Sequence, residues 1–157
     1  MTSPNAEPAR RRAMEPAPFR LDTHLFYYFT QILARRQRAL NSELRRFGLD
    51  YARWRVMAVL NEEAGCSMQR LAELTSVDRT TLTHTLRLME KEDLIERRER
   101  SSDRRSIAVS LSARGRETLT QILPTVLAQT ERALAGFGGD EIDRLRRQLA
   151  RIADNLK

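Results

Sequence analysis

The chain has 157 residues, with 28 lysines and arginines against 21 aspartates and glutamates, so its net charge at pH 7 is +7. This basic surplus favours a polyanionic partner, although charge alone does not separate DNA from RNA or an acidic membrane surface. The single cysteine excludes an internal disulfide framework, and no apolar run approaches the roughly 20 residues that span a bilayer. We therefore expect a soluble, cytoplasmic protein that does not act at a membrane.

Residues 1–20 form the first segment and contain four of the five prolines. Proline lacks a backbone donor and breaks helices, so this segment is not a continuous helix. We interpret it as a flexible basic arm. Its arginine cluster, Arg10 to Arg12, could touch DNA phosphates, but a solvated tail is the simpler interpretation.

Two aspartates, Asp22 and Asp50, mark the starts of two predicted helices. Each can act as an N-cap, and each follows a leucine that can pack against an aromatic residue four positions after the aspartate. The first helix is expected to end near Gly48 and the second to run to about Glu63. We interpret residues 21–48 as a dimerisation helix.

Residues 49–111 have the layout of a winged helix-turn-helix. A short helix capped by Ser67 precedes a second one, predicted at residues 77–92, in which Leu82, Leu86 and Met89 share one face. After Leu94 the apolar period changes from helical to two, which is typical of a strand with one buried face. A highly charged stretch separates the two predicted strands, so the hairpin has a basic tip.

The open face of the helix at residues 77–92 carries short polar and basic side chains, which suit the DNA major groove. The neighbouring minor groove is narrow and negative, so it attracts an arginine on a thin loop, here Arg104 or Arg105. The alternative is a solvated helix face followed by a solvated turn. The predicted DNA contacts on the helix are Thr80, Thr81, Thr83, His84, Arg87 and Lys91.

Residues 112–157 are predicted to form two further helices, which we interpret as C-terminal dimerisation helices. Ser112 caps the first, which extends to about Ala135, and Asp140 caps the second. The last helix carries apolar residues at alternating spacings of three and four, as in a coiled coil. Either the core of the same chain or a second copy can cover this row, and the length of the terminal helices favours a homodimer. The row consists of Ile142, Leu145, Leu149, Ile152 and Leu156.

Three segments resemble the MarR family of transcriptional regulators: L-A-E-L-T-S-V-D-R-T-T-L-T at 71–83, L-M-E-K-E-D-L-I-E-R at 88–97, and D-R-R-S-I-A-V-S-L-S-A-R-G at 103–115. The resemblance covers about residues 21–157. It implies a mainly α protein with a small β wing (α+β), a six-helix winged helix-turn-helix that forms a homodimer through its N- and C-terminal helices. It also implies that Arg105 enters the minor groove and that Asp103 orients the wing arginines, Arg104 among them.

One position departs from the family pattern. Many relatives have arginine where this chain has His84, and histidine is shorter and mostly neutral at pH 7. Bidentate recognition of guanine at that position is therefore in doubt, and we expect Arg87 to carry more of it.

These features predict a sequence-specific double-stranded DNA-binding regulator, by default a repressor. As a homodimer it would bind a pseudo-palindromic operator, an inverted repeat with half-site centres about 10 base pairs apart. Many members of the family release DNA when a small phenolic or anionic molecule binds, and aromatic walls suit such an effector. The candidate lining is His24, Phe26, Tyr27, Tyr28 and Trp54, although aromatic residues near helix starts usually fill core.

Other function classes are less well supported by the sequence. Cys66 offers a redox-responsive alternative, but a partly buried, unreactive thiol is favoured. The two histidines and one cysteine lie far apart in sequence, so no metal site or cofactor is expected. No glycine-rich phosphate loop, nucleophile elbow or zinc-protease motif indicates an enzyme. A non-specific architectural DNA-binding protein and a protein–protein adaptor remain open.

Overall fold

The structure, a computed structural model, describes residues 20–100 and 103–157, and for residues 99, 100 and 103–106 it describes the backbone alone. The proposed arm at residues 1–20 lies outside the described residues except for Arg20. The chain divides into two compact units, the first ending at Arg36 and the second beginning at Gln37. The described residues form six α-helices and a three-stranded antiparallel sheet, which confirms the predicted fold class.

In chain order the elements are α1 (Leu25–Leu44), α2 (Tyr51–Glu62), β1 (Cys66–Ser67), α3 (Met68–Thr75), α4 (Arg79–Lys91), β2 (Ile95–Arg100), β3 (Asp103–Leu111), α5 (Ala113–Ala133) and α6 (Gly139–Asp154). A 3-10 turn precedes α1 at Leu21–Thr23, and another follows it at Arg45–Phe47. Within residues 20–100 and 103–157, no helix is long and apolar enough to cross a membrane.

The first unit contains the N-terminal part of α1 and the turn before it. Asp22 was predicted to cap this helix, and that prediction is wrong, since Asp22 lies inside the 3-10 turn. Its carboxylate accepts two hydrogen bonds from the Arg20 guanidinium, at 3.0 and 2.6 Å, so it is engaged before it can reach the amides of α1. The large apolar side chains exposed in this unit are Leu21, Leu25, Phe26, Tyr28, Ile32 and Leu33.

The second unit contains the hydrophobic core. α2 lies at its centre and packs against α3, α4, α5 and β3. Burial of this apolar surface is the main stabilising contribution to the unit. Its innermost side chains, each at most 2% exposed, are Leu40, Leu44, Val56, Met57, Leu60, Leu71, Leu82, Leu86, Met89, Val109 and Ile122.

Local side-chain caps determine where most helices of this unit begin. Asp50 accepts a hydrogen bond from the backbone N–H of Arg53 at 2.8 Å, and Ser67 accepts one from Arg70 at 3.1 Å, both as predicted. α4 begins two residues later than predicted because Asp78 is its N-cap. Gly48, with a φ of 70°, adopts the left-handed conformation after the turn that follows α1.

The sheet has the order β1-β3-β2, so β3 is hydrogen-bonded on both sides. Cys66 pairs with Val109 on one side, and Ile95 pairs with Leu111 on the other. The register continues to Arg100 opposite Asp103, with an irregularity next to Arg100. The hairpin of β2 and β3 was predicted, whereas the two-residue strand β1 was not.

The start of α5 is fastened to the end of α4. The Ser112 hydroxyl accepts a hydrogen bond from Gly115 N–H at 2.9 Å and donates one to the carbonyl oxygen of Asp93. A Cβ on Gly115 would lie 2.0 Å from the Leu94 carbonyl oxygen, so only glycine permits this approach. The contacts of Ser112 with Asp93 and of Gly115 with Leu94 therefore hold the start of α5 against the segment that joins α4 to β2.

α6 has no buried residue. It begins at Gly139, earlier than the predicted cap Asp140, and Glu141 accepts a hydrogen bond from Gly138 N–H at 2.8 Å. Leu145, Leu149 and Leu156 of its predicted apolar row are between 38% and 70% exposed. The row therefore remains largely uncovered within the described residues.

Candidate nucleic-acid interface

α4 has one buried face and one exposed face. Leu82, Leu86 and Met89 anchor it in the core, as the spacing of apolar residues predicted. Their burial fixes the rotation of the helix about its axis, so that the opposite side chains point outward.

The exposed face of α4 forms a shallow concavity of about 430 Å³, lined by Arg79, Thr80, Thr83, His84 and Arg87. The structure thus brings together four of the side chains predicted to contact DNA. Arg79 was missed by the sequence reasoning. Its spacing of four residues before Thr83 and eight before Arg87 places it on the same helical face, and this signal was available in the sequence.

The basic side chains of this concavity are not engaged elsewhere. In the part of the chain that the structure describes, the side chains of Arg79, His84 and Arg87 have no hydrogen-bond or ion-pair partner. Arg70 and Arg97, by contrast, pair with carboxylates at 2.8 and 3.1 Å. The concavity therefore offers uncompensated donors to an incoming polyanion.

Thr83 has a different role from the arginines. Its hydroxyl donates to the Arg79 carbonyl oxygen at 2.8 Å, so its proton is already used within the helix. The lone pairs of the hydroxyl remain available as acceptors, which matches the amino groups that adenine and cytosine present in the major groove.

Two further predicted contacts lie outside the concavity. Thr81 is exposed in the first turn of α4, and its backbone N–H donates to Asp78 at 2.9 Å. Hydrogen bonds from the Thr81 side chain, and then from its backbone, hold the pKa of Asp78 below its ordinary value. Lys91 is exposed at the last residue of α4.

The wing residues are placed by their backbone alone. Asp103, Arg104 and Arg105 lie at the start of β3. Residues 101 and 102, which precede them in the chain, lie outside the described residues, as do the three side chains. The antiparallel register places these residues at the far end of the hairpin from the core.

The C-terminal end of α4 is held by three neighbouring elements. Arg53 of α2 contacts Glu92 at 2.8 Å, and Arg97 of β2 contacts Glu90 at 3.1 Å. The Ser112 hydroxyl, at the start of α5, donates to the carbonyl oxygen of Asp93. The orientation of α4 is therefore defined at its end by side-chain contacts as well as by its buried face.

The residues predicted to line an effector pocket are distributed over both units. In the first unit, His24 and Tyr27 line a concavity of about 250 Å³ together with Leu21, Phe26 and Thr30. Tyr28 does not line it, and its hydroxyl donates to the backbone oxygen of Asp22 at 2.7 Å. Trp54 is buried in the core of the second unit.

Cys66 is 4% exposed and lies in β1. Its Sγ is 3.8 Å from Glu63 Oε2, and both oxygens of that carboxylate accept hydrogen bonds from Arg70. Low exposure limits the access of an oxidant to the thiol. Among the residues that the structure describes, no group of histidine, cysteine and acidic side chains could hold a metal ion.

Known proteins share this sequence pattern and this fold. The model of the MarR family matches residues 49–107. The HTH-type transcriptional repressor IacR of Pseudomonas putida is 24% identical over 156 residues, which cover 97% of this chain and 93% of that protein.

Two solved structures are similar over most of the chain. A "probable transcriptional regulator" from Pseudomonas aeruginosa is 31% identical with a TM-score of 0.73, and the alignment covers 85% of this chain and 99% of that one. A mutant MarR from E. coli, complexed with operator DNA, is 22% identical with a TM-score of 0.72, over 82% of this chain and 92% of that one. The second likeness shows a shared fold.

Proposed function

Because the chain belongs to the MarR family of transcriptional regulators, we propose that it binds one operator sequence in double-stranded DNA and represses transcription from it. The family and the relatives are transcriptional regulators, which confirms the prediction that the chain is not an enzyme. The repressor name of the Pseudomonas putida relative supports repression, and the operator complex of the E. coli neighbour supports DNA as the partner.

The observation that carries this proposal is the concavity on α4. It combines two unpaired arginines, a histidine and two threonines on a helix face that is free of apolar side chains. An α-helix fits the major groove, where such side chains reach base edges. In this proposal Arg87 reads a base, Arg79 and Lys91 contact phosphates, and His84 reads a base at the position where many relatives have arginine. Thr80, Thr81 and Thr83 complete this contact surface.

The wing supplies a second contact in this proposal. Arg105 enters the minor groove that adjoins the major groove occupied by α4. Asp103 orients the Arg105 side chain, and Arg104 lies against a phosphate. A narrow minor groove has an enhanced negative potential that attracts arginine. The support is the position of these residues at the far end of the β2–β3 hairpin.

We further propose that the active form is a homodimer. Each unit leaves a row of apolar side chains exposed, on the N-terminal part of α1 in the first and on α6 in the second. Contiguous exposed apolar rows of this kind are typical of association sites, which supports the proposal. Two copies would present their α4 helices about 34–36 Å apart and so read an inverted repeat.

The proposal includes release of DNA by a small aromatic or anionic effector. The concavity at His24 and Tyr27 supports it, because apolar walls with polar tips suit such a ligand. Tyr28, whose hydroxyl donates to the backbone oxygen of Asp22, and Trp54, which is buried in the core of the second unit, do not line this concavity. A redox response through Cys66 is the alternative, and the burial of Cys66 weighs against it.

Selection of bound duplexes from a random DNA pool tests the main proposal. We expect the enriched sequences to share one inverted repeat, and a footprint on that repeat to protect a single site. Enrichment of no sequence, with even coverage of any DNA, would instead identify a non-specific architectural protein. Absence of any DNA binding at low salt would favour a protein–protein adaptor.

The effector proposal is tested on the complex with the selected duplex. Salicylate-like compounds are expected to raise the melting temperature of the protein and to release the duplex. If no compound raises the melting temperature or releases the duplex, the result counts against a phenolic effector. Peroxide treatment of wild type and Cys66→Ser addresses the alternative, since loss of DNA by wild type alone would identify a redox sensor.

A further inference from the structure

We propose that Arg53 is a positioning residue for sequence recognition: by holding Glu92, it fixes the end of α4 against α2. Arg53 lies on α2 and does not line the concavity of α4. The inference rests on the proposed function, since it concerns how α4 distinguishes one DNA sequence from another.

The geometry joins three parts of the second unit at one guanidinium. Nη1 of Arg53 donates to Glu92 Oε2 at 2.8 Å and to the Gly48 carbonyl oxygen at 2.9 Å. Nε of the same side chain lies 3.8 Å from Asp50 Oδ2. Arg53 therefore links the turn after α1, the start of α2 and the end of α4.

Burial of the arginine separates this contact from the exposed pair of Arg98 and Glu96. The Arg53 side chain is 13% exposed and that of Arg98 is 80% exposed, whereas their glutamate partners are 41% and 42% exposed. A partly buried pair is screened less by water and salt, so its geometry is held more firmly than that of an exposed pair.

The position of Glu92 adds an independent argument. It is the C-cap of α4, where the helix dipole disfavours a carboxylate. Glu92 therefore does not stabilise α4 as an isolated helix, and its contribution comes from the contact with Arg53. The dipole of α4 disfavours the Glu92 carboxylate, whereas the pairing with Arg53 of α2 favours it. The carboxylate therefore contributes to the packing of α4 against α2.

The position of α4 relative to α2 affects binding to one specific sequence more than binding to DNA of any sequence. Base contacts need donors held to within about 0.5 Å of their productive positions, whereas phosphate contacts tolerate small shifts. Loosening the end of α4 should therefore weaken binding to the selected operator and leave binding to random DNA nearly unchanged.

The test compares wild type, Arg53→Gln, Glu92→Gln and the double variant. Each is titrated with the duplex selected by wild type and with a random-sequence duplex of equal length, at one salt concentration. Each single variant should lose up to about tenfold in affinity for the selected duplex, the limit reached if the free energy of one charged hydrogen bond goes entirely into ordering α4 for binding. Affinity for random DNA should change by less than about twofold, since no phosphate contact is removed.

The double variant shows whether the two side chains act through one contact. If they do, it should resemble either single variant instead of multiplying their losses. Arg70→Gln is the matched control, because Arg70 also pairs with a glutamate at 2.8 Å, but Glu63 lies outside α4. This control should keep the ratio of the two affinities at the wild-type value.

Three results would overturn the inference. The first is an equal loss of affinity for the selected and the random duplex. The second is a wild-type ratio of the two affinities in Glu92→Gln, and the third is a ratio that falls as far in Arg70→Gln as in the Arg53 and Glu92 variants. Glu92→Gln keeps the side-chain shape at a partly exposed position, so it gives a decision even if Arg53→Gln is poorly folded. Failure of wild type to enrich any sequence would remove the proposed function and this inference together. Enrichment by wild type with an unchanged ratio in Glu92→Gln removes the inference alone.

Discussion

At the scale of single residues, helical spacing predicted much of the candidate interface. Thr80, Thr83, His84 and Arg87 lie away from the apolar face of one helix in the sequence pattern, and in the structure they line one concavity. Arg53 is a different case. Its contact with Glu92, 39 positions away, depends on how α2 packs against α4, and no local pattern carries that information. Aromatic chemistry likewise predicts Trp54 as a lining residue of an effector pocket, whereas its burial in the core follows from the packing of the helices.

Arg87→Ala should lower affinity for the selected duplex by about 1–3 kcal/mol and relax the preference at one base position in each half-site. The reason is the loss of a bidentate contact to a base edge. Repeating the selection with this variant measures the effect.

Lys91→Ala is the paired control for Arg87. It should weaken binding to selected and random duplexes equally and reduce the salt dependence by about one phosphate contact. An identical profile for the two variants would show that Arg87 contacts phosphate and leaves the base to another side chain.

Asp78 makes the stability of α4 sensitive to acid. Its pKa is lowered in the folded state, so its contribution is fully present above the ordinary value of 3.8 and is lost as the pH falls through the folded value. Asn also caps helices but does not titrate in this range. Wild type should therefore be more stable than Asp78→Asn at pH 7, and chemical denaturation should show the difference shrinking below about pH 4. A difference that is independent of pH would contradict this role.

At the scale of elements, the starts of α2, α3 and α5 were predictable because each depends on one capping side chain a few residues from the amides it serves. The prediction failed at Asp22, where Arg20 binds the carboxylate first. The prediction also missed β1, because a strand of two residues is too short to show an alternating apolar pattern. β1 is a strand only because it pairs with β3. Local chemistry predicts helix ends, and non-local pairing decides short strands.

Gly115→Ala should destabilise the protein by about 3 kcal/mol, at the upper end of the range for an overpacked core. The added Cβ would lie 2.0 Å from the Leu94 carbonyl oxygen, so α5 must move away from the end of α4. Chemical denaturation measures the change. Gly139→Ala in α6, where a Cβ would meet nothing within 4 Å, should change stability by no more than about 1 kcal/mol. A small change in stability for Gly115→Ala would mean that the backbone at Leu94 moves aside at little cost in free energy.

At the scale of the whole molecule, the apolar spacing of the last helix predicted a row of side chains that either the core of the same chain or a second copy would cover. The structure leaves that row on α6 largely exposed, together with apolar side chains on the N-terminal part of α1. The choice between a partner chain and the chain's own core was open in the sequence, because spacing identifies an apolar face but not what covers it.

Leu149→Glu should shift the protein from dimer to monomer and abolish binding to the inverted repeat. A carboxylate buried at the proposed interface would lack a partner, a loss of several kcal/mol in association (about 3 or more). Light scattering after size exclusion measures the mass. Ala150→Glu introduces the same charge on a neighbouring exposed position away from the apolar row and should leave the dimer intact. A monomeric wild type at micromolar concentration would contradict the dimer itself.

The order of the sheet also bears on how this chain behaves when it is concentrated. β3 is paired on both sides, β1 has only two residues, and β2, the other edge strand, carries charged residues, among them Glu96 and Arg98. A short or charged edge is a poor template for adding a foreign strand. Growth of fibrils by strand addition is therefore disfavoured at the edges of this sheet, so a concentrated solution of this protein should stay free of amyloid.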